Sequence, residues 1–154
     1  MLSNILKKDY IKLNLECKDW EDAIRKSGNI LLENKLVTNE YIEEAVKGVK
    51  ELGPYIVIAK GVALPHTAND IGVKKNGIAL VTLKEPIEFG NKNNDPVNYI
   101  FMLATTDINS HLEALSNISD FLEKQDFLEV IKNAKDTQLI IDYIKANENE
   151  SEYI

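Results

Sequence analysis

A three-layer α/β sandwich, a mixed β-sheet flanked by helices on both faces, is the fold class that this 154-residue sequence predicts. Two observations carry that expectation. Residues 77–83 (GIALVTL) and 97–104 (VNYIFMLA) are nearly continuous apolar runs, the pattern of central strands covered on both faces. They lie among segments whose apolar residues recur at helical spacing, so helices are available to cover the sheet above and below. At about 100–200 residues per domain the length fits one domain, large enough to bury a core without staples. Residues 1–147 are expected to form it, with 148–154 a frayed acidic tail, and the opening Met reads as the start of a complete chain.

The elements follow in order. The first ten residues read as a short helix with Leu2, Ile5 and Leu6 on one side. Ile11, Leu13 and Leu15 then alternate with Lys12, Asn14 and Glu16, the period of a half-buried strand. Asp19 is a good N-cap for a helix to about Asn34, with Trp20, Ala23, Ile24, Ser27 and Leu31 as its buried stripe. Thr38 caps the next helix; Tyr41, Ile42, Ala45, Val46, Val49 and Leu52 form its inner face, and Gly53-Pro54 stops it. Residues 55–59 are apolar and branched, a strand candidate. Residues 61–76 hold Gly61, Pro65 and Gly72 with no helical period and read as a long loop; 84–96 is turn-rich. Ser110 with Glu113 makes a capping box that opens a helix with Leu112, Leu115, Ile118 and Leu122 inward. Asp126, and then Asp136 or Thr137, start two further short helices.

Composition excludes several classes. With 44% hydrophobic and 28% charged residues the chain is neither disordered nor low-complexity. Twenty-five acidic residues against 18 basic ones leave a net charge of −7, so nucleic acid is not an expected partner, nor is an anionic membrane surface. Cys17 is the single cysteine; it makes no intramolecular disulfide and reads as a small residue in or beside a strand. The apolar runs fall far short of the roughly 20 residues of a membrane helix. The segment MLSNILKKDY has no long apolar h-region and no small-residue cleavage site, so the expected compartment is the reducing cytoplasm. Two histidines far apart and one cysteine give no tight zinc site unless carboxylates complete it. P-loop, Gly-x-Ser-x-Gly and Gly-x-Gly-x-x-Gly signatures are absent from the sequence. Glu113, Asp120 and Glu123 follow the spacing of a solvated helix face.

The two histidines are the remaining candidates. His66, in the segment GVALPH (61–66), follows a strand and a proline that narrows the approach to it. On that context alone a role and a surface histidine without one are about equally balanced. His111 sits just after the Ser110 cap, where unpaired N–H groups and the helix dipole favour an anion; polar residues without a role are also common in a first turn, so alone it is a weak signal. Together they allow a histidine nucleophile. A neutral imidazole nitrogen attacks phosphorus, its partner nitrogen is held by a hydrogen bond, and N–H donors surround the phosphoryl oxygens.

The segment GVALPH resembles the active-site segment of EIIA domains of the mannitol/fructose class of the bacterial sugar phosphotransferase system. NSHLEAL (109–115) is similar to the second histidine segment of that class. GPYIVIA (53–59), GIALVTL and NDPV (94–97) look like the ascorbate branch, and the resemblance spans about residues 1–145. It implies that His66 accepts a phosphoryl group on Nε2 from the histidine phosphocarrier HPr. The group then passes to a cysteine of a cognate EIIB, which serves a membrane EIIC. His111 would stay unphosphorylated and steady the group, with Thr67 and Ser110 as further phosphate contacts, and neither a metal nor an organic cofactor would be used. Mannitol-type members carry an arginine near the phosphate. Here the one arginine, Arg25, lies far upstream, and Lys47, Lys50 and Lys60 are the nearby cations, point charges and not bidentate forks. Thr105 and Thr106 end a strand before the second segment and could donate to phosphate, though strand-end threonines are common. An apolar rim of Val62, Leu64 and Ile71 is expected around His66 for transient partners, unless Leu64 and Ile71 tuck into the core. The rival reading is a regulatory EIIA-like protein whose phosphorylation reports nutrient state without transfer. No residue encodes which sugar is moved.

Overall fold

Residues 1–148 are described by a computed structural model of the protein. Two short 3₁₀ turns, Leu2–Asn4 and Lys8–Tyr10, lead into β1 (Ile11–Leu15), α1 (Trp20–Glu33) and α2 (Asn39–Leu52). A hairpin of β2 (Val57–Ala59) and β3 (Val62–Ala63) follows, then β4 (Gly77–Ile87) and β5 (Val97–Ala104). Three helices come next: α3 (Ile108–Leu122), α4 (Phe127–Asn133) and α5 (Thr137–Asn147). The sheet order is β1-β4-β5-β3-β2, with β1/β4 and β3/β5 parallel and β4/β5 and β2/β3 antiparallel.

Side-chain alternation along the central strands sets the layers. On one face, Ala79 and Val81 of β4 and Ile100 and Met102 of β5 pack with Ala23, Ile24 and Leu31 of α1 and Tyr41, Ala45 and Val49 of α2. On the other, Ile78, Leu80, Phe101 and Leu103 meet Ile118 and Phe121 of α3, Phe127 and Ile131 of α4, Ile140 and Ile144 of α5, and Leu2 and Leu6. The expected mixed sheet between two helical layers is therefore the observed one.

The N-caps Asp19, Thr38, Asp126 and Asp136 stand where the sequence puts them. Several details differ. The first ten residues form two 3₁₀ turns instead of one helix, although Leu2 and Leu6 are buried. Leu52 and Leu112, read as inward-facing, are 73% and 57% exposed; both lie at the margin of an apolar stripe whose buried members are Ala45 and Val49, and Ala114 and Ile118. The long loop expected over 61–76 contains β3, too short for periodicity to reveal and made a strand by its neighbours on both sides. Cys17 lies between β1 and α1, half-buried, and burial raises its thiol above the ordinary value. Glu148, expected to open the frayed tail, is fixed by its carboxylate, which accepts from the Ser3 N–H (3.0 Å) and hydroxyl (2.6 Å). The rest of that tail, 149–154, lies outside the described residues.

One carboxylate organises the support of the β2–β3 hairpin. Asp95 accepts from the N–H groups of Phe89 (3.0 Å), Gly90 (2.8 Å) and Asn91 (3.0 Å), closing the β4–β5 loop on itself. That loop then grips the hairpin. The Asn91 amide donates to the carbonyls of Pro54 and Val57, the Asn94 amide donates to Val57, and the Asn94 carbonyl accepts from Gly61 N–H (2.9 Å). Gly61, at the hairpin turn, has a φ of 74°, which a side chain would strain. Asp95→Ala is expected to lower the urea-unfolding free energy by about 1–3 kcal/mol. Its largest loss of amide protection should fall in β2 and β3; an unchanged midpoint would remove Asp95 from this role.

Candidate active site

Strands β3 and β5 run side by side in the same direction, so the chain leaves both at the same edge of the sheet. Crevices outside the carboxyl ends of parallel strands are where α/β folds place ligands. His66 lies just past β3, and Thr105 and Thr106 just past β5 before α3 turns back. This brings the rings of His66 and His111 to a centroid separation of 5.3 Å with a 53° tilt. They share a cleft of about 400 Å³ with Thr67, Asp70, Thr105, Thr106, Asp107 and Ile108.

The His66 ring is oriented by main chain. Its Nδ1 lies 2.7 Å from the Leu64 carbonyl oxygen, which only accepts, so Nδ1 carries the proton and the free lone pair is on Nε2. Nε2 has no hydrogen-bond partner among the described residues. Leu64 is itself locked: it is buried, its N–H donates to Ile56 O (2.7 Å), and the next carbonyl, of Pro65, accepts from Leu103 N–H (2.9 Å). Tyr55 stands edge-on to the imidazole at 5.7 Å. Such a ring can act as a nucleophile or a base through Nε2 alone.

His111 is positioned differently from the sequence expectation. The N-cap of α3 is Asp107, and its carboxylate accepts from Ser110 N–H (2.8 Å) and the Ser110 hydroxyl (3.0 Å). The capping box of Ser110 with Glu113 is not formed. Ser110 is the third helical residue and does not line the cleft, and its N–H and hydroxyl are both engaged by Asp107. His111 N–H donates to Asp107 O (3.1 Å) and so is not a free donor. Asp and Ser are equally good caps, and Asp107 three residues before Ser110 is the signal that identifies the earlier start. His111 contributes its ring instead. Nδ1 lies 3.4 Å from the Thr105 hydroxyl, and burial, with a smaller contribution from His66, pushes its pKa below the ordinary value. The Ser110 N–H and hydroxyl hold the Asp107 carboxyl below its usual range, so Asp107 is an anion at the cleft rim.

The lining includes Asp70 and Asp107 and no lysine or arginine. Arg25 is engaged by Glu21 and Glu43, Lys50 by Glu21 and Lys47 by Glu51, and none of them lines the cleft. Thr67 does line it, but its hydroxyl donates to Asn69 O (2.6 Å). Thr106 is engaged by Asn76 through its N–H (2.8 Å) and hydroxyl (3.2 Å). Of the expected apolar rim, Val62 and Leu64 are buried and Ile71 is 41% exposed; Tyr55, Ile108 and Leu112 are the other exposed apolar side chains at or next to the site. Among the described residues no three His, Cys, Asp or Glu side chains are grouped so as to hold a metal ion.

Residues 4–147 match the family described as the phosphoenolpyruvate-dependent sugar phosphotransferase system, EIIA 2. The chain belongs to this family. It is 35% identical over 135 residues to the ascorbate-specific PTS system EIIA component of Escherichia coli (strain K12), covering 87% of this chain and 88% of that protein. The solution structure of the mannitol-specific cryptic phosphotransferase enzyme IIA CmtB from Escherichia coli superposes with a TM-score of 0.82 at 29% identity, over 95% of this chain and 99% of that one. The Escherichia coli complex of enzyme IIAMTL with phosphorylated enzyme IIBMTL gives a TM-score of 0.80, over 93% of this chain and 100% of that one; at 20% identity that likeness speaks to the fold.

In this EIIA the cleft has no lysine or arginine, and the His111 ring lies partly buried beside the His66 ring. His111 should therefore titrate below its ordinary value of 6.5 in an NMR pH series. Unfolded, it takes its proton at higher pH than folded. Its contribution to stability is full above pH 6.5 and is lost as pH falls from there through the folded value. His66→Gln removes the repelling partner and should raise the His111 midpoint; a midpoint at or above 6.5 in the unsubstituted protein would contradict this electrostatic picture.

Proposed function

We propose that this EIIA is the phosphocarrier subunit of a bacterial sugar uptake system, with His66 as the residue that carries the phosphoryl group. The reading rests on one observation: an imidazole whose Nδ1–H is tied to the Leu64 carbonyl and whose Nε2 is unpartnered, in a cleft shared with a second imidazole. The Nε2 lone pair attacks the phosphorus of phosphohistidine on HPr, and the new N–P bond forms as the donor's N–P bond breaks. A cysteine thiolate of the cognate EIIB then attacks the same phosphorus, and the electron pair returns to Nε2. His111 takes the stabilising role. In that role its proton sits on Nε2, available to a phosphoryl oxygen, and Nδ1 accepts from the Thr105 hydroxyl 3.4 Å away. A dianion added beside Asp70 and Asp107 raises the affinity of His111 for a second proton.

Partnership with EIIB is supported by the complex of the structurally similar mannitol enzyme IIA with phosphorylated IIB. The similarity to an ascorbate-specific component points to ascorbate or a related sugar or polyol as the solute, taken up through a membrane EIIC that this subunit reaches by way of EIIB. No helix among the described residues is long and apolar enough to cross a membrane, which fits a carrier that works at the cytoplasmic side. Tyr55, Ile71, Ile108 and Leu112 give transient partners an apolar rim around the imidazole.

Phosphoenolpyruvate, enzyme I and HPr should add one phosphoryl group by mass, and His66→Ala should add none. His111→Gln should still accept the group, with the rate lowered by about a hundredfold. Adding purified EIIB should discharge the wild-type phosphoprotein; a phosphoprotein that no EIIB discharges would assign the chain to signalling instead. Phosphate persisting in His66→Ala would end the proposal.

A further inference from the structure

The hydrogen-bond ladder between β3 and β5 is interrupted beside His66, and the interruption is filled from another helix. The register pairs Val62 with Tyr99 and Ala63 with Ile100; continued, it sets His66 opposite Leu103. In a parallel ladder a residue's N–H and C=O reach the residues before and after the one opposite. Leu103 N–H does donate to the Pro65 carbonyl, at 2.9 Å. Its own carbonyl should then accept from Thr67 N–H. It accepts instead from the hydroxyl of Tyr41, a fully buried side chain of α2. Thr67 N–H is left without a hydrogen-bond partner among the described residues, and Thr67 lines the cleft.

The same helix holds the departing chain. Thr38 N–H donates to Gly72 O (2.8 Å), and Gly72 packs so closely on the first turn of α2 that a Cβ there would lie 2.5 Å from Tyr41 N. A Phe would fill the same volume as Tyr41 but would leave the buried Leu103 carbonyl unpaired, which costs free energy unless Thr67 N–H moves in to satisfy it. Tyr41 is buried away from charge, and burial raises its phenol far above the ordinary range, so it stays a donor. The cleft holds two carboxylates and neither lysine nor arginine, so a phosphoryl dianion on His66 draws on uncharged donors, the His111 ring and main-chain N–H groups among them.

We infer that Tyr41 is a positioning residue that takes the place of Thr67 in the β-ladder, and that the Thr67 main-chain N–H so released donates to the phosphoryl group on His66. The inference rests on the phosphocarrier reading for its second half only. The test uses the ¹⁵N-labelled full chain. In the free protein the Thr67 amide should exchange rapidly with solvent. After phosphorylation by phosphoenolpyruvate, enzyme I and HPr it should move downfield and become protected. Tyr41→Phe should protect the Thr67 amide already in the free state and shorten the phosphohistidine lifetime several-fold. Val49→Ala, which weakens the same helix face, should lower stability without either change. If Tyr41→Phe does not fold, the wild-type amide decides. A protein carrying one phosphoryl group by mass whose Thr67 amide neither moves nor gains protection overturns the inference, as does a Thr67 amide already protected in the free wild-type protein. Absence of any mass gain overturns the phosphocarrier reading and with it the phosphate contact, while exchange in the free protein still decides the part played by Tyr41.

Discussion

The Leu64 carbonyl oxygen, 2.7 Å from His66 Nδ1, can accept a hydrogen bond but not donate one, and this holds the imidazole in the tautomer whose lone pair is on Nε2. The rest of the site depends on keeping that carbonyl in place. Leu64 N–H is bound to Ile56, Pro65 O to Leu103, and the hairpin below them to the loop that Asp95 gathers around its carboxylate. The His66 side chain is thus aimed by main-chain atoms of a sheet buried on both faces, which moves less than a side-chain scaffold would.

The layering was legible because it is a local property. Residues 77–83 and 97–104 are apolar at both parities, and only a sheet covered on both faces satisfies that pattern; Asp19 and Asp136 mark their helices by the same chemistry they use in the fold. What the sequence concealed is relational. Two residues, Val62 and Ala63, show no period, and they become a strand only because β5 and β2 lie on either side. Asp107 and Ser110 are both acceptable caps, and the choice falls to the residue where the chain turns out of β5. Likewise, the pairing of His66 with His111 is set by the parallel register of β3 and β5. The resemblance to a known class supplied that pairing where spacing alone could not.

The electrostatics of the cleft differ from a simple anion pocket. The helix start that offered itself as a phosphate cradle is already occupied by Asp107, and Arg25 of α1 and Lys50 of α2 are paired with glutamates elsewhere. On the proposed reading, stabilisation of a dianion on His66 falls to the His111 ring and to uncharged donors of the cleft.

The most direct test of the central claim is the tautomer of His66 in the free protein, read from long-range ¹H–¹⁵N correlations at a pH where the ring is neutral. The account predicts a protonated Nδ1 and a bare Nε2 for His66. A ring protonated on Nε2, with Nδ1 bare, would place the lone pair against the Leu64 carbonyl and contradict it.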